Sequence, residues 1–242
     1  TIITCFSAKA QTSDIQIKVI SESENEPIFG ATVYFEELEK GAVTDFDGNL
    51  YHTLTIGTQT WLKENLKVTH FNKGEAIPNI TDGIEWGSLT KGAYCDYDKN
   101  PANSETYGRL YNWHAAGDSR NPCPEGWHVP SDSEWQTLMD YLGGEAVAGG
   151  KMKATGTLGQ GNGLWEDPNA EATNESGFTA LPAGIRSTNG SFSLLSTNTY
   201  FWSSTANLAS AWDRELSHKY GNVDRNSREQ TSGYSIRCIK DN

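Results

Sequence analysis

The sequence predicts an α+β fold, and three observations carry the prediction. A capping-box sequence opens one amphipathic helix, short β-rich runs recur along the chain, and many Gly and Asn residues separate them. With 242 residues, 36% of them hydrophobic, and with 8 Trp and 10 Tyr, the chain can fill one large domain and still carry a small appendage.

Residues 1–11 read as the tail of an export signal. Ile2, Ile3 and Phe6 are apolar, and Ala8-Lys9-Ala10 fits a small-x-small cleavage site before Gln11, with a frayed N-terminal strand as the alternative. Residues 15–20 (IQIKVI) begin with the period-two alternation of a half-buried strand, and residues 31–35 (ATVYF) form a second β-rich run beyond a turn at Asn25-Glu26-Pro27. From Asp47 onward two helices are expected. One spans 106–116 and stops at Gly117. The other spans 132–142, where Ser131-Asp132-Ser133-Glu134 is the capping box, Trp135, Leu138, Met139 and Leu142 share one face, and Gly143-Gly144 supplies the left-handed cap. Residues 199–205 look like a central strand. Tyr234, Ile236 and Cys238, alternating with Ser235 and Arg237, look like a terminal strand with one buried face.

The formal charge of -12 repels a phosphate backbone, and no run of Lys and Arg offers an exception, so nucleic acid and anionic membranes are poor partners. Beyond the first few residues no apolar stretch approaches the roughly 20 residues of a membrane span, so no membrane insertion of the mature chain is expected. If Cys5 leaves with the signal, Cys95, Cys123 and Cys238 remain, an odd number that permits one internal bridge in an exported protein. The residues alone leave open a Cys123–Cys238 pair, a Cys95–Cys123 pair or reduced thiols.

Four separated blocks are more specific. Asp47–Tyr51 with Ile56-Gly57-Thr58-Gln59-Thr60-Trp61-Leu62-Lys63-Glu64-Asn65-Leu66, then Tyr107-Gly108-Arg109-Leu110-Tyr111-Asn112-Trp113, Cys123-Pro124-Glu125-Gly126-Trp127-His128-Val129-Pro130 and Gly233-Tyr234-Ser235-Ile236-Arg237-Cys238-Ile239-Lys240-Asp241 follow one another in order. Together they resemble the Fibrobacter succinogenes major paralogous domain family. That resemblance implies a C-type-lectin-like fold, related to the formylglycine-generating enzymes, with two helices and short, mostly antiparallel strands. It also implies the long Cys123–Cys238 bridge of that fold. Ahead of it, Glu26–Val33 and Gly41–Gly48 resemble part of the carboxypeptidase regulatory-like β-sandwich of exported Bacteroidetes proteins, too short to bury a core of its own. The expected organisation is therefore 1–11 residual signal, 12–46 truncated β segment and 47–242 major domain.

Catalytic signals are weak. His52, His70, His114, His128 and His218 show no spacing to a Ser or Cys motif, and neither a Cys-x-x-Cys nor a His-x-x-x-His pair offers a zinc site. His128 is expected to pack among aromatic residues. Gly126–Trp135 resembles the helix-leading motif of the formylglycine-generating enzymes, but their chemistry needs a cysteine pair near the C-terminal end, where Cys238 stands alone. Asp96, Asp98 and Asn100 place oxygen ligands at alternate positions and can wrap calcium, although the glycine and bidentate glutamate of an EF-hand are missing and a solvated acidic turn is the alternative. Trp165-Glu166-Asp167-Pro168-Asn169 resembles the carboxylate-Pro-Asn grouping of sugar-binding lectins, without an evident partner grouping. No cofactor other than calcium is suggested.

The remaining candidate is a surface. Trp202, Trp212, Arg214, His218, Tyr220, Asn222, Asp224, Arg225, Asn226 and Arg228 combine large aromatic area with adaptable hydrogen-bonding groups, the mixture of a binding face. The resemblance implies that the strands and loops before the terminal strand form the ligand face. Trp202 and Trp212 have core packing as the competing role. The expectation is a secreted or cell-surface, non-catalytic domain that binds an extracellular protein or glycan, with a structural coat domain as the alternative and an enzyme as the second.

Overall fold

A computed structural model describes residues 32–35 and 40–241. In chain order its strands are β1 (Thr32–Phe35), β2 (Lys40–Thr44), β3 (Leu50–Ile56), β4 (Gln59–Leu62), β5 (Tyr94–Cys95), β6 (Leu110–Tyr111), β7 (Trp127–His128), β8 (Ala183–Arg186), β9 (Phe192–Leu195), β10 (Asn198–Asn207), β11 (Ser210–Ser217), β12 (Asp224–Glu229) and β13 (Ile239–Lys240). The helices are α1 (Gly83–Gly87), α2 (Pro101–Tyr107), α3 (Trp113–Ala116), α4 (Asp132–Tyr141) and α5 (Glu145–Met152). The expected signal, and the expected strand at 15–20, lie outside the described residues.

The architecture is α+β and mostly antiparallel. One sheet has the order β1-β2-β3-β4-β13-β7, a second has β12-β11-β10-β8-β9, and β5 pairs with β6. Among the described strands, β8 and β10 are the one parallel pair. The first sheet is continuous across residue 46, with β2 paired to β3 and Ala42 and Val43 buried.

Helix α4 forms as its sequence directs. The Ser131 hydroxyl accepts from the Glu134 amide at 3.3 Å while the Glu134 carboxylate accepts from the Ser131 amide at 2.8 Å, so both halves of the capping box are made. Its apolar face brings Trp135, Leu138 and Met139 into the core, where burying each aliphatic side chain contributes about 2 kcal/mol. Trp135 lies 4.8 Å from Trp61 and 5.6 Å from Phe201, and its indole N–H donates to the Trp202 carbonyl, so α4 is pinned to β10.

Two expected elements differ. The helix at 106–116 is broken: α2 ends at Tyr107, β6 follows, and α3 is a separate turn. Gly108 has φ +78°, and a Cβ there would lie 2.6 Å from that of Asn65, while Leu110 and Tyr111 are drawn into pairing with Cys95 and Tyr94. Pairing and close packing override the local helical pattern. The terminal strand is also shorter than expected, because β13 holds only Ile239 and Lys240 and every residue from 232 to 239 is buried, Ser235 and Arg237 included. Both faces of this segment are inside the molecule.

Cys123 and Cys238 are bonded, with Cα atoms 6.0 Å apart and a sequence separation of 115, as the family resemblance implies. Closing a loop of that length restricts the unfolded chain by about 4 to 5 kcal/mol as an upper estimate. Cys95 is free and buried, and burial pushes its thiol up to about 12.

Candidate ligand-binding face

The second sheet ends in a three-stranded ribbon, β10-β11-β12, with β12 at its edge. Residues directly opposite in an antiparallel pair share a face. The register sets Trp212 against Ser227 and Arg214 against Arg225; one residue on, it sets Asp213 against Asn226 and Glu215 against Asp224. The expected site residues therefore divide between two faces.

On the first face Arg214 and Arg225 are a like-charge pair that would repel, and the Asp132 carboxylate lies between them. Arg214 Nη1 donates to Asp132 Oδ1 at 2.9 Å, and Arg225 donates through Nε and Nη2 at 2.9 and 2.8 Å. Burial raises the Asp132 pKa, but the bonds from Arg225 and Arg214 outweigh it and hold the carboxyl below its usual range. The Arg225 guanidinium lies 3.4 Å from the centre of the half-buried Trp212 ring. Arg214 is fully buried, whereas Arg225 is 34% exposed. The result is a clamped guanidinium stacked on an indole, with one Arg225 edge facing water.

On the second face Glu215 accepts from Asn198, Tyr200, Asn226 and Arg228 at 2.7 to 3.2 Å. Asp213 beside it is buried and neither carboxyl oxygen has a hydrogen-bond partner; Arg228 Nε is 3.7 Å away. Burial pushes Asp213 up to about 8, which Arg228 offsets only in part. Asp224 is exposed and accepts from Asn222.

The β11–β12 turn carries His218 and the 61% exposed Tyr220. Its backbone is fixed from below. Lys153 Nζ donates to the carbonyls of Ala170, Ser217 and Tyr220 at 2.8 to 2.9 Å, Gly150 N–H donates to Gly221 O at 2.8 Å, and a Cβ on Gly149 would lie 2.2 Å from Asn222 O. His218 Nδ1 bonds to the Asp167 carbonyl.

Two expected contact residues are corrected by burial. Trp202 is a core residue at 0% exposure, its indole N–H bonded to the Tyr111 carbonyl, and Arg214 is an internal anchor for Asp132. Neither presents area to a ligand. Trp212 and Arg225 remain accessible on the first face, His218, Tyr220 and Asn222 lie on the β11–β12 turn, and Asp224, Asn226 and Arg228 belong to the second face. Asp132, the group that organises the first face, was legible only as a capping-box acid. Nothing local signals that it reaches strands more than eighty residues away.

Two of the three expected calcium ligands, Asp96 and Asn100, are otherwise engaged. Asp96 is buried, accepts from Ser104 Oγ at 2.5 Å and faces Arg109 Nε at 3.2 Å, so a guanidinium stands where a cation would. Asn100 caps α2, and Asp98 is exposed. Among the described residues no group of three or more His, Cys, Asp and Glu is arranged to hold a metal ion. In the segment resembling a sugar-binding motif, Asp167 accepts from Thr157 Oγ1 and the Asn169 amide donates to the carbonyls of Ala154 and Gly156.

His128 does more than pack. Nδ1 lies 2.6 Å from Asp241 and Nε2 2.9 Å from Glu134. The Glu134 bond, aided by Asp241 and opposed by burial, raises its pKa to about 9. The shift favours the imidazolium form.

Residues 54–240, most of the chain, match the family model of the Fibrobacter succinogenes major domain. The chain belongs to this family. No curated protein and no solved structure matches it. In this member of the Fibrobacter succinogenes major domain family the four sequence blocks meet in space. Leu62 and Leu66 donate to the carbonyls of Cys238 and Ile236, Tyr111 and Tyr234 exchange a pair of backbone bonds, and Ile239 pairs with both Trp61 and His128. The stretch from Trp212 to Arg228 belongs to none of the blocks and stands on the scaffold they build.

Proposed function

We propose that this chain is a non-catalytic recognition domain of C-type-lectin-like fold, displayed outside the cytoplasm, which contacts an extracellular protein or glycan through Trp212, Arg225 and the His218–Tyr220 turn. The observation that carries the reading is the Arg225–Trp212 stack clamped by Asp132. An aromatic and a guanidinium already held in one geometry lose little entropy on binding and are the residue types that dominate interface energies. A long bridge to the final segment, a capped helix packed on a mostly antiparallel sheet and a rigid turn beside the ribbon support the fold reading. The disulfide favours an oxidising compartment, and among the described residues no helix is long and apolar enough to cross a membrane.

The alternatives are a structural coat domain and a formylglycine-generating enzyme. For the first, the N-terminal strands would have to cover the ribbon, whereas β1 and β2 extend the other sheet. The second needs two thiols together near the C-terminal end, and Cys238 is tied to Cys123.

The test is a glycan and surface-protein binding screen with and without chelator, repeated with Trp212→Ala and Arg225→Ala. Binding that falls at least tenfold in both variants supports this face. Unchanged binding places the ligand elsewhere, and loss on chelation would bring calcium back.

A further inference from the structure

Among the described residues, Lys153, Arg186 and Arg237 are buried without an ion pair within 4 Å. Lys153 donates to three carbonyls. Arg186 lies between the rings of Trp86 and Phe192 and donates to the carbonyls of Ile80, Thr81, Asp82 and Gly190. Arg237 donates to the carbonyls of Leu62 and Phe178 and, through Nε and Nη2, to Asn65 Oδ1 at 3.1 and 2.6 Å. A buried cation left without a counter-charge is costly, and carbonyl dipoles compensate it only in part.

Arg237 lines a cleft of about 110 Å³ that opens to solvent, together with Lys63, Lys67, Asn65 and the two acids Glu64 and Glu105. That space holds several waters or one small oxyanion. Of the five guanidinium N–H groups, four have acceptors; the second hydrogen on Nη2 has none. At the mouth, Lys63 is exposed and Lys67 donates to the Glu105 carbonyl. Of the two lining carboxylates, Glu64 acts on Arg237 through its charge but accepts from the His52 backbone and bonds to its ring, and Glu105 is 84% exposed and 3.8 Å from Lys67. Three cations, Lys63, Lys67 and Arg237, therefore share the cleft with two carboxylates, which leaves one positive charge in excess. In a chain of net charge -12 this is a local reversal of sign.

We propose that this cleft binds one oxyanion, a carboxylate, sulfate or phosphate group, held by Lys63 and Lys67 at the rim and drawn by Arg237 at the floor. The cleft shares no residue with the Trp212–Arg225 pair, so it is independent of the function proposed above. It is the place where the molecule would read an acidic substituent of a saccharide or a free inorganic anion.

The experiment titrates the full chain with inorganic phosphate, sulfate and glucuronate against chloride at constant ionic strength, following the Arg237 side-chain Nε resonance and the unfolding temperature. A saturable movement of that resonance, with affinity at least tenfold weaker in the Lys63→Ala/Lys67→Ala double variant, is the expected result. Tighter glucuronate identifies a sugar acid as the source, and tighter phosphate or sulfate a free inorganic ion. A stationary Arg237 resonance with all three anions, or equal binding by the double variant, overturns the proposal. The two lysines lie at the rim, so the variant's unfolding temperature without anion reports whether it is folded.

Discussion

The region around β4, β6, β7 and β13 rests on backbone bonds and a disulfide, whereas the ribbon β10-β11-β12 adds side-chain ion pairs to its backbone ladder. In the first, backbone groups satisfy one another: Leu66 N–H donates to Ile236 O, Arg109 N–H to Leu66 O, and Tyr111 and Tyr234 bond both ways, with a disulfide across the same segment. In the ribbon's edge strand, side chains do much of the fixing, through Asp132 on one face and Glu215 on the other. A scaffold held by backbone bonds tolerates exchange of exposed side chains. A face held by side-chain charges depends on their identity, and its solvent edge is free to contact something else.

That contrast can be broken at several places. Cys123→Ser with Cys238→Ser should cost up to about 4 to 5 kcal/mol in chemical denaturation. A loss below about 1 kcal/mol would mean that the backbone bonds alone hold the scaffold. Arg214→Met removes the buried partner of Asp132 and should cost about 2 to 3 kcal/mol, read by the same method. A smaller loss would show that Arg225 alone neutralises that carboxylate.

The third prediction sharpens the picture through pH. The folded-state pKa of His128 is raised from 6.5 to about 9, so its stabilisation is complete below pH 6.5 and is lost as pH rises toward 9. Burial works against ionised Glu134, but bonds from His128 and Ser131 outweigh it and lower its pKa from 4.5 to about 2, so that contribution is present above 4.5 and lost as pH falls toward 2. Stability from this pair should be greatest between pH 4.5 and 6.5, and His128→Ala should flatten the decline between 6.5 and 9. An unchanged profile in the variant would remove His128 as its cause. The smallest stability effect is expected for Arg225→Ala, under about 1 kcal/mol, because its ion pair and ring contact are both partly solvated. A larger loss would make Arg225 part of the scaffold.

Legibility followed the range of the interaction. The α4 helix and its cap were readable because Ser131, Glu134 and the apolar face lie within one short segment, and the strand at 199–205 appears within β10. The helix at 106–116 was misread because Gly108 answers to Asn65, and Arg237 looked like a solvent-facing strand residue although the segment is enclosed on both sides. For the candidate face, the residue types were visible but their partition was not. Strand register decides which side each takes, and it buries Trp202 and Arg214 while leaving Trp212 and Arg225 accessible.

By itself the chain determined its α+β class, its family and the identity of its one long helix, because each rests on residue patterns that are local or repeated in fixed order. Tertiary structure alone decided which charges meet. Asp132 finds Arg214 and Arg225, His128 finds Asp241, and Arg237 is left with carbonyl groups and a cleft. Such encounters join residues from distant parts of the chain, and their energies depend on burial and distance that no local pattern encodes.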